Sequence, residues 1–279
     1  MAEISAAAVK ALREKTGLPM MDCKRALTEA DGDIQKAIEL LRKAGAKVAE
    51  KRSGRTTTSG RISVFTDINR RVGAMIDLRC ESAPVASNDQ FIQLANDLAQ
   101  QLAMGPGAAT PDELLAQPSP SQPGHTLKQQ FDDLNNRIRE AFKLARIVRI
   151  ESTCGGYAHH NAAAGVLLRI EGGNEALARD ICMHAAAMRP SVTNREELNA
   201  DEINKEREIL TEQARKEGKP ENIIAKMVEG RLRDFYAQRC LIDQPIANEM
   251  KYGKKTVGQI VKEAGMKIIS FVHWELPKE

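Results

Sequence analysis

The sequence predicts an α+β protein in which three N-terminal helices precede two mixed blocks of strands and helices. Apolar residues at helical spacing fill the first 45 positions, β-branched alternating segments recur in two later parts, and a charged helical stretch interrupts the second part. The chain has 279 residues, 42% of them hydrophobic, which is enough for two or three compact units. The predicted organisation is a three-helix domain at 1–45, a basic linker at 46–60, core subdomain 1 at 61–145, and core subdomain 2 at 146–279 with a helical hairpin inserted at about 195–239.

Each of the first three predicted helices carries its apolar residues on one face. Thr16 and Gly17 end the first helix, Pro19 suits the start of the second, and Asp33 is the expected N-cap of the third. The three apolar sets are Ile4, Ala8 and Leu12; Met20, Cys23 and Leu27; and Ile34, Ile38 and Leu41. We expect these helices to pack as a bundle.

The turn between the first two helices is unusually apolar, because it carries Leu18, Met20 and Met21 close together. Turns lie on the surface and favour small or polar residues, so these side chains either pack back into the core or bind a partner. Met20 shares a helix face with Cys23 and Leu27, so both interpretations stay open for it. Met21 is the better candidate for an interface.

The linker and the first mixed block follow. Residues 46–60 lose the apolar periodicity and are rich in Lys, Arg, Ser, Thr and Gly, which is typical of a flexible linker. Residues 61–68 and 71–80 have the alternating β-branched character of two paired strands, and a helix is expected at about 89–103. The proline-rich stretch 105–124 predicts a long loop with a single helical turn.

The second mixed block repeats these patterns around a charged helical hairpin. Gly218 can end the first hairpin helix, and Pro220 can begin the second. The remaining elements are predicted as helix in 125–142, strand in 143–153, strand in 162–172, helix in 174–188, strand in 240–246, helix in 256–265 and strand in 266–276.

Composition excludes several classes of function. No apolar run approaches the length of a membrane span, and a net charge of +3 spread along the chain does not indicate direct nucleic-acid binding. The five cysteines are scattered without a CxxC pair, so no metal site is predicted. The stretch at 253–256, "GKKT", lacks the upstream glycine and the following Ser or Thr of a phosphate-binding loop, so no cofactor is predicted.

One enzymatic alternative rests on "STCGGYAHH", which puts Cys154 near His159 and His160. A cysteine nucleophile needs an oriented histidine and usually a third group, and the spacing alone supplies neither. Adjacent histidines on a strand point to opposite faces, so they do not readily share a metal. We expect these residues to be structural, and keep a Cys154–His159 enzyme as an alternative.

Three separated segments of the chain resemble the elongation factor Ts family. They are "VKALREKTGLPMMDCKRALTEADGDIQKAIELLRKAG" at 9–45, "GKPENIIAKMVEGRLRDFY" at 218–236 and "KTVGQIVKEAG" at 255–265. The resemblance implies a ubiquitin-associated-like three-helix domain, a linker and two α+β subdomains with an inserted hairpin. It also implies a guanine-nucleotide exchange factor without covalent chemistry, which binds elongation factor Tu in its GDP-bound and nucleotide-free states. A bacterial cytoplasmic location is expected because the N-terminus does not resemble a transit peptide, while a processed organellar protein stays open as the alternative.

The resemblance also implies which residues contact the partner. Leu12, Met20 and Met21 match positions that dock on the nucleotide-binding domain of elongation factor Tu, while His159 matches a residue facing its third domain. Ile138 matches a further contact position. Methionine suits such a surface because its flexible thioether fits an irregular apolar partner.

The chain departs from the family at its most recognisable motif, Thr-Asp-Phe-Val, the wedge that disturbs the partner's Mg²⁺ site. By position Ser82, Ala83, Pro84 and Val85 replace it, so the carboxylate and the aromatic ring are lost. The segment is then either a wedge of another shape or a plain turn after a strand. The corresponding functional alternative is a protein that binds elongation factor Tu but has weakened or lost exchange activity.

Two further departures lie in contact regions. Arg139 stands where glycine is common in the family, and Ala162 and Ala163 stand where glycine and arginine are usual. A close backbone approach at 139 and a contact by the missing arginine therefore cannot be carried over. The hairpin either pairs two chains as a homodimer or projects from a monomer, and the sequence leaves both open.

Overall fold

The computed structural model describes residues 4–277 and begins with a bundle of three helices. They are α1 Ala6–Thr16, α2 Met20–Glu29 and α3 Ile34–Arg52. Gly17 ends α1 with φ at 69°, and the Asp33 side chain caps α3 by accepting the N–H groups of Gln35 and Lys36. The bundle core contains Val9, Leu12, Cys23, Ala26, Leu27, Ala30, Ala37 and Leu41.

Helix α3 is longer than the sequence predicts. It continues to Arg52, so the first seven residues of the predicted 46–60 linker are helical. Those residues, "AKVAEKR", are mostly good helix formers that lack an apolar face. The loss of apolar periodicity therefore marks where α3 stops packing against the bundle core, and not where the helix ends. The irregular connection is confined to residues 53–58.

The first mixed block forms an antiparallel sheet in the order β1-β2-β3. The strands are β1 Ser59–Asp67, β2 Val72–Cys80 and β3 Lys143–Ile150. The helices of this block are α4 Ala83–Ala86, α5 Asp89–Met104, α6 Pro111–Leu115 and α7 Leu127–Ile138. Strand β3 crosses position 145, so the predicted subdomain boundary divides a strand that pairs with β2.

The proline-rich loop 105–124 is fixed by a buried polar network rather than by apolar contacts alone. Asp97 of α5 accepts hydrogen bonds from the Ser121 hydroxyl and from the Gln130 amide of α7, at 2.7 Å for the latter. The Ser119 hydroxyl donates to Gln130 at 2.8 Å. A buried carboxylate is tolerated here because several donors satisfy it.

The second mixed block forms another antiparallel sheet, in the order β4-β5-β6. The strands are β4 Cys154–Ala158, β5 Ala164–Glu171 and β6 Lys267–Glu275. The helices are α8 Glu175–Met188, α9 Ala200–Lys216, α10 Glu221–Arg239, α11 Glu249–Tyr252 and α12 Val257–Glu263. Helices α9 and α10 form the hairpin around their own small core, and Gly218 adopts φ 71° at the turn.

The predicted strand at 240–246 is wrong. Leu241–Asp243 forms a short 3₁₀ turn, and the segment makes only isolated bridges, from Cys240 to Val192 and from Pro245 to Thr256. Leu241 and Ile246 are buried against α8 and α12. A short apolar run reports burial, and here that burial is reached without a ladder of strand hydrogen bonds.

The two sheets pack against each other, which joins the two mixed blocks. Ile62, Met75, Cys154 and Leu167 form a buried cluster between them. Gly165 of β5 is required at this contact, because an added Cβ would lie 2.5 Å from Ile62 Cγ2. The α+β class is confirmed, and the described helices include none that is long and apolar enough to cross a membrane.

Candidate partner-binding surface

The apolar turn of the bundle divides its side chains between core and solvent. Leu18 packs against the bundle core, whereas Met20 and Met21 are 50% and 71% exposed. Met20 is the first residue of α2, so it lies at the end of the buried face and is not covered. We call Met20 and Met21 the methionine edge.

The structure places Leu12 differently from the prediction. Its side chain is 0% exposed and lies inside the three-helix core. A partner could reach it only if the bundle opened, so its role is to hold α1 against α2 and α3. The reason is local: Leu12 belongs to the buried face of α1, together with Val9.

Residues 82–85 form a helical turn directly after β2. Ser82 is the N-cap of α4, Ala83 and Pro84 are exposed, and Val85 packs partly against the core of the first block. The Glu140 carboxylate accepts the Ser82 N–H at 3.0 Å and the Ser82 hydroxyl at 2.5 Å. A small, stiff knob of Ala83 and Pro84 therefore projects from a firmly held base.

Ile138 is the last residue of α7 and packs partly against the same core. The next residue, Arg139, ends the helix in the left-handed conformation, with φ 67° and ψ 24°. This conformation is a physical reason for glycine at this position in the family, independent of any close backbone approach. The Arg139 guanidinium also pairs with Asp22 of α2 at 2.6 Å.

His159 lies in the turn between β4 and β5, held by that turn's own hydrogen bonds. Its Nδ1 donates to the side-chain amide oxygen Oδ1 of Asn161 at 2.7 Å, and the same oxygen accepts the Ala163 N–H at 3.0 Å. Ala162 closes the turn in the left-handed region, with φ 55°, and its N–H donates to the His159 carbonyl. As at Arg139, the position where the family has glycine requires positive φ.

The strand pattern predicted that the two histidines point to opposite faces, and this prediction is wrong. Strand β4 ends at Ala158, and the His159 and His160 rings lie 4.1 Å apart between centroids. Across residues 4–277, no cluster of three or more potential metal ligands is formed by His, Cys, Asp or Glu.

A groove of about 490 Å³ brings two of the predicted regions together. Ala83, Ala86 and Ser87 line one side, and His159 and Asn161 line another. Neither residue of the methionine edge lines this groove, and neither does Ile138. Other residues at the groove that the sequence did not reveal are Gly60, Ala186, Arg189 and Glu275; Arg189 pairs with Glu275 at 2.5 Å.

Comparison with known proteins identifies the family. The sequence model of the family described as Elongation factor TS matches residues 81–278. An Elongation factor Ts from Alkalilimnicola ehrlichii is 40% identical over 275 residues, covering 98% of this chain and 92% of that protein. The chain belongs to the elongation factor Ts family. Family members from Kineococcus radiotolerans and Paenarthrobacter aurescens are 38% and 42% identical, with 98% and 96% of each chain covered.

Membership in the elongation factor Ts family assigns the chain to translation elongation and to binding of elongation factor Tu. Elongation factor Ts is a nucleotide exchange factor rather than an enzyme of covalent chemistry. The family model begins at residue 81, whereas the relatives also align across the N-terminal bundle. The three-helix bundle and both mixed blocks therefore lie within the region aligned with the elongation factor Ts relatives.

The environment of Cys154 does not suit a catalytic nucleophile in this elongation factor Ts family member. Burial raises the pKa of its thiol to about 11, so the thiol stays protonated near neutral pH. The thiol donates to the Ser152 carbonyl at 3.1 Å and faces Gly73 of the other sheet. Cys154 is thus part of the packing between the sheets, and the Cys154–His159 enzyme has no geometric support.

Proposed function

We propose that this chain binds elongation factor Tu in its GDP-bound and nucleotide-free states and promotes GDP release, so that GTP can bind again. The observation that supports the proposal is the shared groove, because Ala83 of the 82–85 turn and His159 both line it. The methionine edge supplies a second, apolar contact. We assign it to the nucleotide-binding domain of the partner, and His159 to a second partner domain.

Exchange requires that the factor and the nucleotide weaken each other's binding. Reversing an equilibrium from about 99:1 to 1:99 needs about 5.5 kcal/mol of differential binding, which is more than one small turn can supply. Several contacts therefore share the work. The methionine edge anchors, His159 grips the second domain, and residues 82–85 disturb the region of the partner that holds its Mg²⁺.

The chemistry of residues 82–85 limits how they can act on that Mg²⁺ site. Ala83 has no carboxylate that could compete for the ion or its ligands, so displacement has to come from shape. The exposed Pro84 has a fixed φ and loses little conformational entropy on docking. A rigid helical turn can therefore push between partner elements, although it buries less apolar surface than an aromatic ring would.

The alternative is a protein that holds elongation factor Tu without releasing its nucleotide. The absence of the Asp-Phe pair favours it, because the ring alone would contribute roughly 2 kcal/mol of buried contact. The two functions differ in one observable, which is whether binding accelerates nucleotide release.

The deciding experiment measures release of a fluorescent GDP from the cognate elongation factor Tu, with and without this chain. The native chain is compared with an Ala83→Asp, Pro84→Phe variant, and binding of each to the partner is measured in parallel. Acceleration by the native chain supports the proposal. Binding without acceleration, restored by the double substitution, would establish the alternative function instead.

Several finer expectations accompany the proposal. We place the protein in the bacterial cytoplasm and expect no direct contact with nucleic acid or membrane. Dimerisation through the hairpin stays a prediction: Ile209 of α9 and Ile223 of α10 are both exposed on it. Light scattering coupled to size-exclusion chromatography distinguishes a dimer from a monomer with a projecting hairpin.

A further inference from the structure

The loop that follows α7 connects two of the regions assigned to the partner surface, the methionine edge and the 82–85 turn. Arg139 pairs with Asp22, which is adjacent to Met21 in α2. Glu140 holds Ser82 through two hydrogen bonds. The Ala141 N–H donates to the Glu81 carboxylate at 2.6 Å. Three consecutive residues thus link the methionine edge to the 82–85 turn.

The contact between Glu140 and Ser82 replaces a normal helix cap. The Ser82 side chain makes no capping hydrogen bond to α4, and its hydroxyl is instead used by the Glu140 carboxylate. A carboxylate that accepts two hydrogen bonds from one residue fixes both its backbone and its side chain. Since Ala83 and Pro84 are exposed and bury little surface, this contact is the main polar restraint on the start of the turn.

Helix α7, which precedes the loop, is also held in place, because α3 packs closely on it. An added Cβ at Gly45 would lie 2.2 Å from the Asn136 side chain. Arg42 of α3 pairs with Asp133 of α7 at 3.2 Å. The bundle is therefore seated on the same helix whose end carries Arg139 and Glu140.

We propose that Glu140 is a positioning residue for nucleotide release. Its carboxylate fixes residues 82–86 against the end of α7, while Arg139 fixes that end to α2. The methionine edge and the helical turn then contact elongation factor Tu with a fixed position relative to each other. This inference rests on the proposed exchange function and assigns to Glu140 no contact with the partner.

The physical consequence concerns rate more than affinity. A turn that is free to move can still bind once the methionine edge has anchored the complex, but it must be ordered before it can push on the partner. Ordering a flexible segment in the complex opposes the strained state that releases nucleotide. Loss of Glu140 should therefore lower the maximal rate of release and leave the anchoring contacts intact.

The test compares Glu140→Gln with Glu113→Gln in the full chain. Glutamine keeps the size of the side chain but removes the charge and one acceptor oxygen. Glu113 is a matched control, because its carboxylate accepts the Ala109 N–H at 2.8 Å and does not line the groove. GDP release from elongation factor Tu is measured over a range of factor concentrations for both variants and for the native chain.

For Glu140→Gln we expect the saturating rate of GDP release to fall about fivefold or more, with a change below about twofold in the half-saturating concentration. Glu113→Gln should change neither quantity. In the free chain, amide hydrogen exchange at Ala86, Ser87 and Asn88, whose N–H groups are hydrogen-bonded in this turn, should be about tenfold faster in Glu140→Gln than in the control. This last readout needs no partner.

A double-mutant cycle with Ser82→Ala separates positioning from general destabilisation. If Glu140 acts through Ser82, the two substitutions together lower the rate by less than the product of their separate effects. Independent effects, or unchanged amide exchange at 86–88 in Glu140→Gln, would overturn the inference.

Failure of the proposed function gives a different result. A native chain that binds elongation factor Tu but does not accelerate release overturns the exchange proposal, and with it the role of Glu140 in exchange. A native chain that accelerates release, together with a Glu140→Gln variant that does so equally well, overturns only the positioning role.

Discussion

The methionine edge and the groove lined by Ala83 and His159 present different chemistry to a partner. At the edge, two long and flexible apolar side chains are exposed. At the groove, Ala83 is a small exposed residue, and His159 is fixed by a hydrogen bond to Asn161; the base of the adjoining 82–85 turn is fixed by the hydrogen bonds between Ser82 and Glu140. The methionine edge offers flexible apolar side chains that can adapt to a partner, whereas the groove offers a rigid surface whose shape is already fixed in the free protein.

This difference indicates how binding and release are divided between the two regions. Burying one methionine contributes about 1.5–3 kcal/mol, which is affinity that a partner gains in any nucleotide state. A small rigid turn contributes little affinity, so its effect lies in where it is placed. Substitutions at the edge should therefore change affinity, whereas those that loosen the groove should change the rate of release.

The largest expected effect tests whether Leu12 belongs to the core or to the edge. Leu12→Ala should destabilise the bundle by about 2–5 kcal/mol, because it leaves a cavity at a fully buried site. Amide hydrogen exchange in α1–α3 measures this loss in the full chain. The control Met21→Ala should change bundle stability by less than about 0.5 kcal/mol, since that side chain is mostly exposed.

The outcome also separates two roles for Leu12. If Leu12→Ala weakened partner binding while exchange in α1–α3 stayed unchanged, Leu12 would be a contact residue after all. The edge would then extend along α1, and the contrast between a compact core and a narrow methionine edge would be lost.

The next effect concerns the methionine edge itself. Replacing Met20 and Met21 together by serine should weaken binding to elongation factor Tu by about 30-fold, or about 2 kcal/mol, mainly through faster dissociation. The saturating rate of GDP release should change little. Surface-plasmon-resonance kinetics and the fluorescent GDP assay report the two quantities separately.

A matched control for that variant is Met250→Ser, because Met250 is also exposed but lies in another part of the second block. Equal loss of affinity in both variants would mean that exposed methionines contribute without regard to position. A lower saturating rate of GDP release at unchanged affinity in the Met20, Met21 variant would contradict the assignment of affinity to the methionine edge.

The sequence predicts local structure well wherever the signal is local. The Asp33 cap and the alternating strands follow from neighbouring residues, and both are found. The strand at 240–246 fails because an apolar run can be buried in more than one way. The methionine edge was found by resemblance and by the misfit of bulky residues in a turn.

What the sequence could not predict depends on distant pairs and on backbone conformation. Glu140 and Ser82 are 58 residues apart, and nothing in either neighbourhood indicates their contact. The positive φ values of Arg139 and Ala162 were hidden as well, because neither residue is the glycine that normally marks such a conformation. The family pattern of glycine gave the only sign, and without coordinates it was equally consistent with close backbone approach.

The smallest predicted effect uses the positive φ of Ala162 in the turn between β4 and β5. Ala162→Gly should stabilise the protein by about 0.5–1 kcal/mol and raise the melting temperature by about 1–3 °C, because glycine adopts φ 55° without a steric penalty.

The matched control is Ala163→Gly in the same turn, where φ is not positive. There, added backbone freedom in the unfolded chain should destabilise by about 0.5–1 kcal/mol. Calorimetry on both variants gives opposite signs if the turn that holds His159 is strained at 162, and equal signs would show that it is not. Ala162 is buried, so the rate of GDP release should stay the same in the Ala162→Gly variant, which would confine its effect to stability.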